Sequence, residues 1–184
     1  MRGLRRCLIC LLATMPTVAA ASDLWPGDRW ELGSRFGGAI TDTSIRIDGK
    51  VESLSLLRTL GPKRAVEFEF SADQLDFGIN FGLEHQTFSV NYLTINREPL
   101  WDPYFLVGVG VIRFDAPGPI RHGTDGMAQV AVGGTWSLLQ SRKLLFRADL
   151  RVRYDFNNSH QPGQDGFGDA IVSVGLSLPL SSLH

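Results

Sequence analysis

The chain has 184 residues, 18 basic against 19 acidic side chains, 43% hydrophobic residues, 20 glycines and two cysteines. That near-neutral balance excludes the basic footprint of a nucleic-acid binder and offers no polybasic membrane patch. The length suits one domain with a sizeable core, and after the N-terminus nothing approaches the ~18 continuous apolar residues of a membrane helix.

Residues 1–21 read as a secretory signal peptide. Arg2, Arg5 and Arg6 give a positive start, Cys7 to Met15 is apolar, and Val18-Ala19-Ala20-Ala21 supplies the small residues of a cleavage site. Cys7 and Cys10 both lie inside it and neither follows a small residue, which argues against lipoprotein processing. Cleavage would remove three basic side chains and no acidic one, leaving 22–184 as a single cysteine-free domain with a net charge of −4. An exported domain without disulfides is held by its own packing, by oligomerisation or by a membrane.

Eight alternating segments follow, approximately Trp30–Ile40, Val51–Thr59, Arg64–Ser71, Gly82–Thr94, Pro103–Phe114, Met127–Leu138, Leu144–Phe156 and Gly168–Leu180. Most match the ~9–11 residues with which a tilted strand crosses a bilayer. The links 41–50, 72–81, 115–126 and 157–167 read as long and polar, and those after the second, fourth and sixth strands as short turns. An even strand count with links sorted this way predicts an all-β, eight-stranded, antiparallel up-and-down transmembrane barrel.

Segment 146–156 is the sharpest alternation: Phe146, Ala148, Leu150, Val152, Tyr154 and Phe156 interleave with Arg147, Asp149, Arg151, Arg153 and Asp155. A period of two puts these sets on opposite faces. Periodicity is blind to which face points inward. In a soluble barrel the apolar set would line a ligand cavity; in a membrane barrel it faces lipid. Three observations favour the membrane. Trp30, Tyr92, Trp101, Tyr104 and Trp136 all fall at the short-turn rim, as an interfacial aromatic belt would. Phe70, Phe114, Tyr154, Phe156 and Phe167 fall near the opposite rim. Gly33, Gly37, Gly108, Gly110, Gly133 and Gly175 leave room in a narrow lumen for long side chains.

With the polar set inward, the lumen is expected to hold Glu31, Arg35, Glu67, Glu69, Arg147, Asp149, Arg151 and Arg153, with Glu84 and Asp155 near the outer mouth. Equal numbers of each sign predict mutual pairing, because an unpaired buried charge costs several kcal/mol. Glu31, Glu67 and Glu69 are the expected partners of the arginines of segment 146–156. Such a network closes the lumen, leaving at most a narrow pore.

Pro103-Tyr104-Phe105-Leu106-Val107-Gly108-Val109-Gly110-Val111, the segment Arg147 to Phe156, and Phe167-Gly168-Asp169 leading into Val174-Gly175-Leu176 resemble the OmpA-type outer-membrane β-barrel family, specifically its eight-stranded transmembrane domain. The resemblance implies the outer membrane of a Gram-negative bacterium, contact with its lipid and lipopolysaccharide, extracellular loops at the long links, and a role in envelope integrity or surface contact. Two departures stand out. The peptidoglycan-binding domain of longer members does not follow, and the chain ends Leu180-Ser181-Ser182-Leu183-His184 rather than on an aromatic residue.

Catalysis, metal and cofactor are not expected. Lipid A deacylases among such barrels use a lipid-facing His and Ser two residues apart, whereas Ser159 and His160 are adjacent, in a loop with Pro162 and Gly163. His85, His122 and His184 have no metal-ligand spacing. Asp115, Asp125 and Asp165 are candidate contacts for divalent cations or the lipopolysaccharide they bridge, and are expected to be solvated loop acids.

Overall fold

Alternation of apolar with polar or charged side chains satisfies a pleated strand and frustrates any helix, and every such segment of the chain is extended. A computed structural model describes residues 29–41, 49–76, 82–98, 101–115, 123–139, 142–156 and 167–180. The strands are β1 (Trp30–Thr41), β2 (Gly49–Gly61), β3 (Arg64–Asp76), β4 (Gly82–Ile95), β5 (Asp102–Asp115), β6 (Gly123–Ser137), β7 (Leu145–Asp155) and β8 (Phe167–Pro179). Each pairs antiparallel with its sequence neighbour, and β1 closes the barrel against β8 from Glu31↔Pro179 to Thr41↔Asp169. Closure leaves no free sheet edge.

Several strands outrun the segments expected from sequence. β3 continues to Asp76, β6 begins at Gly123 and β2 at Gly49, because Asp73, Asp125 and Gly49 keep the same two-residue phase as the strands they extend. Parts of the links 41–50, 72–81 and 115–126 are therefore strand, not loop. The sorting of link lengths weakens accordingly: 77–81 is no longer than 96–101. The expected signal peptide and the central parts of the long links lie outside the described residues.

The orientation of the two faces is the decisive feature. Val109 is 66% exposed and Phe36 58%, on the outside with Leu54, Val132, Val172 and Leu178. Glu67 and Asn91 are 0% exposed and Arg153 1%, on the inside. The inner face also departs from the expectation of a purely small, polar and charged lumen. Leu57, Ala65, Leu93, Ile95, Leu106 and Ala131 form an apolar cluster within it toward the short-turn end, and Ala39, Val51 and Ile171 form a second.

Candidate functional site: a charged lumen and an aromatic rim

Three strands, β1, β3 and β7, aim charged side chains into one space. Arg35 of β1 is the hub: its Nη2 lies 2.7 Å from Glu67 Oε1 and 2.6 Å from Glu69 Oε1, and its Nη1 lies 3.0 Å from Asp149 Oδ2. Arg147 Nη2 meets the other oxygen of Glu67 at 2.8 Å, and Arg151 Nη1 donates to Glu69 Oε2 at 2.5 Å. Asp149 accepts further bonds from Tyr104 Oη and Ser173 Oγ, both at 2.8 Å. Three guanidinium groups thus face three carboxylates in a space from which water is nearly excluded, where a charge without a partner would cost several kcal/mol.

A neutral relay flanks this centre. Gln129 donates from Nε2 to Asn91 Oδ1 (2.7 Å) and Ser89 Oγ (3.0 Å), and Asn91 Nδ2 donates to Glu69 Oε2 (3.1 Å). Glycine provides the room. A Cβ on Gly175 would stand 2.6 Å from Arg35 Cγ, and one on Gly133 would stand 2.5 Å from the Tyr104 ring, so a larger residue at either place would displace the network. Two small cavities lie inside among the described residues. A cavity of about 10 Å³ lies beside Arg35, Glu69 and Arg151, and one of about 20 Å³ lies beside Tyr104, Arg147 and Asp102. Each has room for about one water molecule, and the ion pairs stand between them.

All eight expected lumen residues face inward, and seven have a partner from another strand. Glu31 lines the cavity beside Tyr104 and Arg147 but does not join the network. It lies at the short-turn end of β1, four residues before Arg35, and pairs with Arg29 of its own segment. Arg153 also has other partners than the glutamates expected for it: Asp73 Oδ2 at 2.5 Å and Asp169 Oδ2 at 2.8 Å. Both aspartates were legible by phase, since Asp73 continues Glu67-x-Glu69-x-Ser71 and Asp169 precedes Ser173 and Gly175 in step. Asp155 faces inward and is buried; the side chain of Glu84 is outside the described residues.

The expected belt of five aromatic residues requires one correction. Tyr104 is 6% exposed and points into the lumen, where its Oη accepts from Arg147 Nε at 2.7 Å and the guanidinium lies 4.5 Å from its ring centre. The cause is phase: Tyr104 shares a face with Leu106 and Ile112, opposite Phe105 and Val107. Trp30, Tyr92, Trp101 and Trp136 remain on the outside. Trp101 folds back over Gly134 and stacks on Trp136 with ring centres 5.3 Å apart, and Arg58 lies 5.4 Å above the Trp30 ring.

The short-turn mouth carries a second ionic cluster that sequence reading missed. Asp102 Oδ2 is 2.5 Å from Arg97 Nη1 and 3.2 Å from Arg142 Nη1, joining the ends of four strands through their turns. Arg142 adopts a left-handed φ of 51° and donates its backbone N–H to Leu139 O at 2.9 Å in the tight turn between β6 and β7. Sequence-local charges of a turn give no sign of which strand end they will meet.

The fold and face inversion define a class: a closed eight-stranded barrel with an apolar exterior and a charged, filled interior. Among solved structures it is similar to Neisserial surface protein A, with a TM-score of 0.65 and 10% identity over 83% of this chain and 96% of that one. It is also similar to the N-terminal β-barrel domain of Pseudomonas aeruginosa OprF (TM-score 0.53, 11% identity, 83% and 99%) and to the outer membrane enzyme PagL (0.51, 13%, 82% and 99%). These likenesses are of fold. No protein-family model matches the chain, and no curated protein matches it.

Proposed function

We propose that this chain is a small outer-membrane β-barrel protein that acts without catalysis, in envelope integrity or surface contact, with its lumen held shut by ion pairs. The observation that carries the reading is the inversion of faces. A soluble barrel that binds an apolar ligand would bury Phe36, Val109 and Val172 and expose Arg151 and Arg153; here the reverse holds. An exterior of this kind is stable only against lipid or detergent, and barrels are the strand architecture that satisfies all backbone hydrogen bonds there.

Closure of the lumen supports a structural role over conduction, because neither cavity holds more than about one water. The fold is shared with the outer membrane enzyme PagL, so the non-catalytic reading rests on side chains. It is supported by the placement of His85 on the inner face, away from lipid. Ser159 and His160 lie outside the described residues.

Cell fractionation with heat-dependent gel mobility in detergent tests the location: the protein is expected in the outer-membrane fraction with a shift on boiling. Recovery as a soluble protein without a shift would overturn the reading. Lipid A mass spectra that change on expression would replace the structural role with an enzymatic one.

A further inference from the structure

The outward face at the short-turn end is divided into two unlike halves. Over β5–β8 its strands carry Trp136, Phe146, Leu176 and Leu178, with Trp101 folded against Trp136, and no outward charged side chain; the cations of that half, Arg142 and Lys143, lie in the turn between β6 and β7, where Arg142 pairs with Asp102. Over β1–β4 it carries Arg58 and Arg64, both exposed and in phase with the apolar outer set, with Lys63 exposed in the turn between β2 and β3. No carboxylate of these strands faces outward in this half among the described residues, and Glu98, exposed in the turn after β4, accepts from Asn96 Nδ2 at 2.9 Å.

Two features give this basic half a built character. The turn bearing Lys63 is fixed: Lys63 O accepts from Ile95 N at 2.9 Å and Pro62 O accepts from Arg97 Nε at 3.3 Å. A register shift between Thr59 and Gly61 re-aims the end of β2, as bulges do. Arg58 lies over the Trp30 ring, and Tyr92 is exposed on the same face next to Val66. Directly beyond lie Leu54, Phe68 and Val90, exposed and apolar. The sequence of surfaces is therefore aliphatic, then aromatic, then cationic, which matches the acyl chain, glycerol region and phosphate of a lipid.

We propose that the outward face of β1–β4 at the short-turn end binds the phosphodiester headgroup of an anionic glycerophospholipid, with Arg58, Lys63 and Arg64 as the cations and Trp30 and Tyr92 as the interfacial rings. The proposal rests on the membrane reading above and deepens it by naming a lipid class. Arginine suits the role, since its planar fork meets phosphate oxygens in pairs while its face stacks on an aromatic ring.

The test is refolding into bilayers of equimolar phosphatidylcholine and phosphatidylglycerol of the same chain length, then native mass spectrometry of the lipids retained. The wild type is expected to retain phosphatidylglycerol over phosphatidylcholine by roughly tenfold, a preference that falls as salt rises. R58Q/K63Q/R64Q is expected to bring the ratio close to one, and K50Q/K143Q, which removes cations elsewhere, to leave it unchanged. A triple variant that folds and keeps the preference overturns the proposal; so does a wild-type ratio near one, or one indifferent to salt, whether or not the variant folds. Failure of the wild type to insert into the bilayer would remove the membrane reading as well. Insertion with equal retention of both lipids removes the lipid site alone.

Discussion

Replacing Arg35 by methionine is the most informative single change in the lumen. Arg35, Arg147 and Arg151 face Glu67, Glu69 and Asp149, and Arg35 touches all three acids at 2.6 to 3.0 Å. Charge centres ~4 Å apart interact by about 4 kcal/mol at an effective dielectric of ~20, and that attraction offsets the desolvation of Arg35. Without it, two bases oppose three buried acids. Removing one partner from a buried pair typically costs about 3–5 kcal/mol. Glu67 keeps Arg147 at 2.8 Å and Glu69 keeps Arg151 at 2.5 Å, which places the expected loss near the lower end, about 3 kcal/mol. Asp149 is the acid left most exposed to the change, since Arg147 and Arg151 both lie 3.8 Å from it. Arg35→Met combined with Asp149→Asn restores two against two and is expected to recover most of the loss, leaving a deficit of about 1 kcal/mol. Urea unfolding in phosphatidylcholine vesicles, followed by tryptophan fluorescence, reads both numbers. A single variant within about 1 kcal/mol of wild type, or a double variant less stable than the single, would refute the pairing argument.

Tyr104→Phe removes an oxygen that bonds both Arg147 and Asp149 and should cost about 1–3 kcal/mol in the same assay; Tyr92→Phe, on the outside, should change stability by less than about 0.5 kcal/mol. Gly175→Val places a Cβ 2.6 Å from Arg35 Cγ and is expected to cost about 1–3 kcal/mol or more by overpacking, while Gly61→Ala, with nothing within 4 Å of the added carbon, should be close to neutral on unfolding. Val109→Arg puts a charge in the middle of the outward apolar face and is expected to lose about 2–4 kcal/mol in vesicles, whereas a water-facing Val109 would tolerate it; an unchanged unfolding midpoint would count against the lipid-facing assignment.

Phase along each strand made the fold and most of the lumen legible. Phe146 to Phe156 specifies two faces without reference to any other strand, and the same reasoning placed Glu67, Glu69 and Arg35 on one inner surface. Pairing partners were less legible, because they depend on the height of each residue in a tilted barrel, which phase does not encode. Hence Glu31 meets Arg29, and Arg153 meets Asp73 and Asp169. Tyr104 was assigned to the rim by its residue type, against its own phase, and phase prevailed because β5 has no bulge to turn it outward. The inward Leu57, Leu93 and Leu106 escaped notice for the opposite reason: leucine on a face assumed polar looks like noise until the apolar cluster is assembled from three strands. The Asp102 cluster had no periodic signal at all, since Arg97 and Arg142 sit in turns.

The internal arrangement bears on where function can reside. Apolar contacts among Leu57, Leu93, Ile95 and Leu106 close the lumen toward one mouth, and the paired charges around Arg35 close its middle. The first is apolar and the charges of the second are paired within the barrel, so neither needs a ligand to be stable. Groups that are satisfied in this way contribute rigidity and uniqueness of structure rather than recognition. The surfaces left to meet a partner are then the two rims and the outer wall. On the wall the aliphatic band is nearly uniform around the barrel, whereas the short-turn rim is not: Arg58, Lys63 and Arg64 are gathered over β1–β4 and stacked rings over β5–β8. An uneven rim on an even wall gives the barrel a preferred side toward the lipid around it, and the charge of that lipid is the variable to which this protein is expected to respond.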